Sequence, residues 1–161
     1  MVNVCMEIET TRDIARQILR HRSFSFQEFS QRYAKVEDFV TSDARLQDLQ
    51  NRQNSIENTD HNLEYWWDHT QNALIDHVEL VYKSALDRGI AKEVARKLLP
   101  EGLTMSRMYM NGTLRSWLHY IDIRCDKATQ KEHREVADQC RAIIYENFPA
   151  IKEVLEELHG T

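Results

Sequence analysis

The 161-residue chain is 42% hydrophobic and 29% charged with a formal net charge of -5, which suits one folded domain with its own core and excludes disorder as the default. An acidic chain lacks the broad basic field of a general nucleic-acid or membrane-surface binder, so no nucleic acid or membrane partner is expected and any anion site must be local. Cys5, Cys125 and Cys140 show no C-x-x-C spacing, which reads as reduced thiols in a cytoplasmic protein.

Val2 to Ile8 alternates apolar and polar residues, with Val2, Val4, Met6 and Ile8 on one side, the period of a half-buried strand. Thr10 with Asp13 reads as a helix N-cap, and Ile14, Ala15, Ile18 and Leu19 supply the apolar stripe of a helix to about Arg20. Ser23 to Val40 has no clean period and reads as loop with short extended pieces. Thr41 to Asp60 is polar and rich in Asn, Gln and Asp, a surface excursion of the kind that caps a site.

From Asp60 the residues Leu63, Trp67, Leu74, Val78, Val81 and Ala85 recur at helical spacing, and Gly89 is a good C′ residue, so one long helix is predicted. Trp66, Ile75 and Tyr82 widen its apolar face. Ile90 to Leu99 reads as a short helix stopped by Pro100, and Leu103 to Met110 as a strand. Gly112-Thr113 then caps a helix carrying Leu114, Trp117, Leu118 and Ile121. Helices over Ala128 to Phe148 and Pro149 to His159 complete a helix-rich second half. No linker, repeat or low-complexity tract interrupts the chain, so residues 1–161 are expected to form one domain, and no segment is long and apolar enough to be a membrane helix.

Arg20-His21-Arg22 followed after seven residues by Ser30 stands out chemically. Three contiguous basic residues pack poorly but cradle phosphates and polar rings well, because a guanidinium offers a planar fork of donors. On composition alone the same residues would more often be a solvated helix terminus, where cations suit the macrodipole. Arg96 beside Glu93, and Arg124 near Asp122 and Asp126, would by themselves be surface charges. His119, near Trp117 and Tyr120, would by default be a packing histidine. His61, His69, His77 and His133 lack the spacing of a metal site, and no metal is expected. Tyr65, Trp66 and Trp67 would serve base stacking or, more simply, core or subunit contact; the interface reading is preferred.

The segment Arg20 to Tyr33 (RHRSFSFQEFSQRY) resembles the signature of the flavin-dependent thymidylate synthases, the ThyX family. Gly89 to Pro100 (GIAKEVARKLLP) is similar to that family's G-x-x-x-E-x-A-R-x-x-L-P block, and Thr113 to Glu132 (TLRSWLHYIDIRCDKATQKE) to its block ending in Q-x-E. The resemblance implies an α+β fold, a helix-rich domain on a small mixed or antiparallel sheet. It also implies a further N-terminal segment, with a His/Glu element that contributes to FAD binding, for which this chain has no counterpart. Thr113 stands where many relatives have Asn, and Ala128 where many have His.

Carried over residue by residue, the resemblance implies that Gln17, Ile18, Leu19, Arg20, Glu28, Phe29, Ser30, Gln31, Arg32, Arg96 and Arg124 line a deoxyuridylate (dUMP) site. It implies that Arg20, His21, Arg22, Glu28, Thr113, Leu114, Arg115 and His119 bind FAD. Arg124 matches the catalytic arginine, expected to stabilise negative charge on the uracil ring when C5 becomes nucleophilic. The implied reaction is reductive methylation of dUMP to dTMP with NADPH and methylenetetrahydrofolate as co-substrates, in a homotetramer with shared active sites, and with no covalent enzyme nucleophile. Ser30 has no His/Asp pair beside it in the sequence pattern and is assigned to substrate binding. The alternative is a non-catalytic nucleotide-binding, flavin-binding or assembly protein that keeps the fold.

Overall fold

Pairing of two distant alternating segments sets the architecture. In the computed structural model, which describes residues 2–30, 38–52 and 54–153, the elements run β1 (Asn3–Thr11), α1 (Arg12–Ile18), β2 (Ser25–Glu28), β3 (Arg45–Gln47), β4 (Ser55–Glu57), α2 (His61–Asp87), α3 (Lys92–Ala95), a 3-10 turn (Arg96–Leu98), β5 (Met105–Thr113), α4 (Leu114–Arg124) and α5 (Lys131–Asn147). Strands β1 and β5 are antiparallel, from Asn3 opposite Thr113 to Thr11 opposite Met105. Strand β2 joins the other edge of β5, with Ser25 opposite Asn111, giving the order β1-β5-β2.

The period of two puts Met6, Ile8 and Thr10 of β1 and Ser106, Met108 and Met110 of β5 on the covered face. Helices α1, α4 and α5 cover it with Ile14, Ile18, Trp117, Tyr120, Ala137 and Ile144. Each large apolar side chain buried there contributes about 1.5–3 kcal/mol relative to exposure. The indole of Trp117 also donates to the Val4 carbonyl at 3.0 Å, tying α4 to β1.

Element types follow the sequence, while several boundaries move. Thr10 stays in the strand opposite Ser106, because the β1-β5 ladder outcompetes a local cap; Thr11 is the N-cap, and its hydroxyl donates to Asp13. Helix α1 ends at Ile18 instead of running to Arg20. Strand β5 starts at Met105 and continues to Thr113. It begins late because the Thr104 amide and hydroxyl both donate to the Pro100 carbonyl, at 3.1 and 2.6 Å, and hold a turn. The amides of Ala128 and Thr129 donate to Asp126, at 2.8 and 2.9 Å, so α5 begins only at Lys131. Residues 149–153 are helical, and the remainder of the predicted Pro149–His159 helix lies outside the described residues.

The 27-residue α2 is capped as expected: Asp60 accepts from the Asn62 and Leu63 amides, and Gly89 turns the chain at φ 82°. Its Val78, Tyr82 and Ala85 pack on Ala95 and Leu99 in a second, smaller cluster. Tyr65 and Trp66 are 74% and 57% exposed, and Leu74 and Leu80 also face out. The polar 41–60 excursion contains the β3-β4 hairpin, pinned by the Arg45–Glu132 ion pair to the start of α5.

Candidate active site

Two helices that follow directly from paired strands end at the same place. Helix α1 stops at Ile18, and the amides of Arg20, His21 and Phe24 turn back to the carbonyls of Gln17, Ile18 and His21. This coil carries the basic triad off the helix end. Phe24 anchors it, with its ring edge-on to Trp117 at 4.9 Å between centroids. Gly112 makes that anchorage feasible, because a Cβ at this position would lie 2.5 Å from the Phe24 ring. Arg124, the last residue of α4, then donates from Nε to Nε2 of His21 at 2.9 Å.

An imidazole nitrogen that accepts from a guanidinium carries no proton, so His21 is neutral with its proton on Nδ1. Burial, then the Arg124 and His119 charges, push its pKa from 6.5 down to about 4. His133, fully buried on α5, is lowered to about 4 by burial and by Arg124 and His21. Burial raises the Tyr120 phenol far above its ordinary value. Arg124 thus carries its charge against three uncharged rings, His21, His133 and Tyr120.

Neutral His133 sits in a hydrogen-bond chain with one consistent direction. The Tyr120 hydroxyl donates to His133 Nε2 at 3.1 Å, and His133 Nδ1–H donates to Gln17 Oε1 at 3.3 Å. Gln17 Nε2 then donates to Gln130 Oε1 at 2.8 Å, and Gln130 to Glu132 at 3.0 Å. Each link fixes the amide orientation of the next. Tyr120, Gln130 and Glu132 are not among the residues expected from the sequence although all three lie within the third motif block, and His133 is not a metal-ligand candidate but a link in this hydrogen-bond chain. Its signal was the Q-x-E that closes that block.

The expected flavin residues Thr113, Leu114, Arg115 and His119 line one open cavity of about 780 Å³ together with Val2, Ser23 and Ser116. They share it because α4 starts where β5 ends: Thr113 Oγ1 accepts from the Ser116 amide at 3.2 Å, which aims the first turn at Ser23 beside the basic triad. Arg20 and Arg22 are exposed, with no ion pair among the described residues.

Other expected residues lie apart from this cluster within the chain. Glu28 accepts from Ser106 Oγ at 2.8 Å and pairs with Arg12 at 3.5 Å, at the opposite end of α1. Phe29, 51% exposed, lies 6.0 Å from the Tyr109 ring, and Ser30 follows it, exposed. Ile18 is buried in the core, and Leu19 is the helix C-cap. Arg96 donates to the Glu93 carbonyl at 3.3 Å, on the turn packed against α2. Gln31 and Arg32 lie outside the described residues.

The α+β domain thus holds the Arg124 guanidinium among neutral rings at one end of α4 and opens a cavity lined by Leu114, Arg115 and His119 at the other. The sequence profile of the thymidylate synthase complementing protein family matches residues 1–150, and the chain belongs to that family. It is 50% identical over 156 residues to a flavin-dependent thymidylate synthase of Synechocystis sp., covering 97% of this chain and 72% of that one. Against a probable flavin-dependent thymidylate synthase of Paramecium bursaria Chlorella virus 1 it is 46% identical over 152 residues, covering 94% and 70%. The fold is similar to that of a crystal structure of the UMP/dUMP methylase PolB from Streptomyces cacaoi bound with 5-Br UMP. The TM-score is 0.79 at 23% identity, over 89% of this chain and 69% of that one.

Proposed function

We propose that this protein is an FAD-dependent methyltransferase that converts dUMP to dTMP, with NADPH and methylenetetrahydrofolate as co-substrates. The observation that carries the reading is the Arg124–His21 contact, which joins two motif blocks 103 positions apart around one charged group. Support also comes from the names of the relatives at 50% and 46% identity.

The cavity beside Thr113 fits a flavin chemically: Val2 and Leu114 offer hydrocarbon to a ring system, and Arg115 and His119 offer polar contacts to its phosphate-bearing arm. When bound, FAD supplies the redox chemistry that links NADPH oxidation to completion of the new methyl group. The chain's own residues position and polarise the pyrimidine. Arg124 gives Nε to His21, and among the described residues its terminal nitrogens have no hydrogen-bond partner, so they are the groups to address a uracil carbonyl. Negative charge that builds on that carbonyl as C5 becomes nucleophilic, before it attacks the one-carbon unit, is stabilised by this preorganised cation. Neutral His21 fixes the guanidinium plane without adding a competing charge. Gln17, one turn before the basic triad, has its amide orientation fixed by His133 and Gln130.

Glu28, Phe29, Ser30 and Arg96 reach the same ligand from neighbouring copies in a homotetramer. The outward face of α2, with Tyr65, Trp66, Leu74 and Leu80, is the apolar surface available for that assembly. The test is purification followed by absorbance and tritium release from [5-³H]dUMP. A yellow, FAD-binding protein that releases tritium to water in the presence of NADPH and methylenetetrahydrofolate is expected. A colourless protein that takes up no FAD even with dUMP present sinks the proposal, and dUMP binding without tritium release favours the non-catalytic alternative.

A further inference from the structure

A second cavity, of about 380 Å³, is lined by Arg45, Arg52, Lys131 and Arg134, with Glu57 the carboxylate in its wall. The four cations come from β3, the β3-β4 turn and the first turns of α5, so only the tertiary fold gathers them. In a chain of net charge -5, such a concentration needs a reason. Two of the four are already paired: Arg45 with Glu132, and Lys131 with Asp43 at 2.8 Å. Arg52 is exposed and has no carboxylate partner among the described residues. Arg134 gives one nitrogen to the Lys127 and Thr129 carbonyls, both at 3.3 Å, and likewise has no carboxylate among the described residues.

We infer that this cavity seats a phosphomonoester carried by one of the reaction's nucleotides, an inference that rests on the dUMP methylation reading above. Two forks without a carboxylate suit a dianion with three equivalent oxygens. Asn54 and Ser55 in the wall supply neutral donors, and Gln130, the N-cap of α5, offers the first turn no side-chain acceptor, so a phosphate can fill that role. Lys131 and Arg45 stay held by their carboxylates and shape the wall. The cavity also communicates with the Arg124 cluster. Gln130 lines it and at the same time accepts from Gln17, whose amide is held in turn by His133, so one hydrogen-bond chain links the cavity wall to the buried His133–Tyr120 pair.

Two sources carry this chemistry, the 2′-phosphate that distinguishes NADPH from NADH and the 5′-phosphate of dUMP. Calorimetric titration of 2′-AMP against adenosine, and of dUMP against deoxyuridine, is done on the intact protein and on Arg52→Glu, a substitution in an exposed turn. One monophosphate is expected to lose tenfold or more in affinity in the variant while its nucleoside is unchanged. Loss for 2′-AMP, with a raised KM for NADPH and not NADH, assigns the co-substrate's phosphate; loss for dUMP alone assigns the substrate's. If neither monophosphate binds better than its nucleoside, or Arg52→Glu alters neither, the inference is overturned. Arg52-dependent binding of 2′-AMP without any tritium release from dUMP would refute methylation and leave the phosphate seat standing.

Discussion

The units β1-α1 and β5-α4 are near twins in backbone and opposites in use. Both are long strands, paired with each other, that pass through a single threonine into a helix, with φ/ψ of -68°/154° at Thr11 and -68°/153° at Thr113. At Thr113 the hydroxyl caps its helix and lines the large cavity. At Thr11 the hydroxyl turns to Asp13 and leaves the helix without a side-chain cap. The candidate site groups of the first unit come from its helix end, Gln17 and the coil to Arg22, and those of the second from both ends, Thr113 to His119 and Arg124. Identical backbone geometry therefore does not predict function; what decides it is where each helix stops and what lies beyond.

The largest effect is expected at the meeting point of the two units. Arg124→Lys keeps the charge but cannot reproduce a fork that serves His21 and a ligand together. Turnover should fall by about a hundredfold or more, the scale for losing a preorganised charge-stabilising donor, while the circular dichroism spectrum stays unchanged; near-normal turnover would remove Arg124 from the chemistry. Gly112→Ala should follow, since its methyl would strike the Phe24 ring that holds the basic triad against α4. Overpacking of this kind costs about 1–3 kcal/mol. Adding Phe24→Leu should recover part of the lost melting temperature, an outcome that a backbone-strain explanation does not predict.

A pH titration probes the seam between the units. His21 and His133 have folded-state pKa values near 4 against 6.5 when free. The unfolded chain therefore binds more protons than the folded one between these values, and stability present above pH 6.5 is lost as pH falls towards 4. Urea midpoints measured across that window should show the loss, with a shallower slope in His133→Gln. The smallest effect separates the two threonines directly. Thr113→Ala should cost about 1 kcal/mol of cap energy, whereas Thr11→Ala, with no cap to lose, should cost clearly less in the same denaturation assay.

The local chemistry was legible in the residue order. The alternation of Met6 and Ile8 made a strand, Asp60 and Gly89 bracketed α2, and Thr113 capped α4, because each of these depends on neighbours within a turn or two. The boundaries at Thr10 and Met105 were not legible, since a strand partner about a hundred positions away and the Pro100 turn decided them. Within the candidate site, the three motif blocks named Arg124, His21 and the cavity residues. They could not reveal that Arg124 leans on His21, or that His133, Tyr120 and Gln130 hold Gln17.

Sequence by itself determined the family, the helix and strand types and the side chains able to carry charge, all properties fixed by residue type and short spacing. Only tertiary structure decided which of those charges meet. Contact between α1 and α4 ends depends on the antiparallel register of β1 on β5 and on the room that Gly112 leaves for Phe24. The same folding drew Arg45, Arg52, Lys131 and Arg134 around one cavity, a concentration of cations that arises only when the hairpin closes over the start of α5.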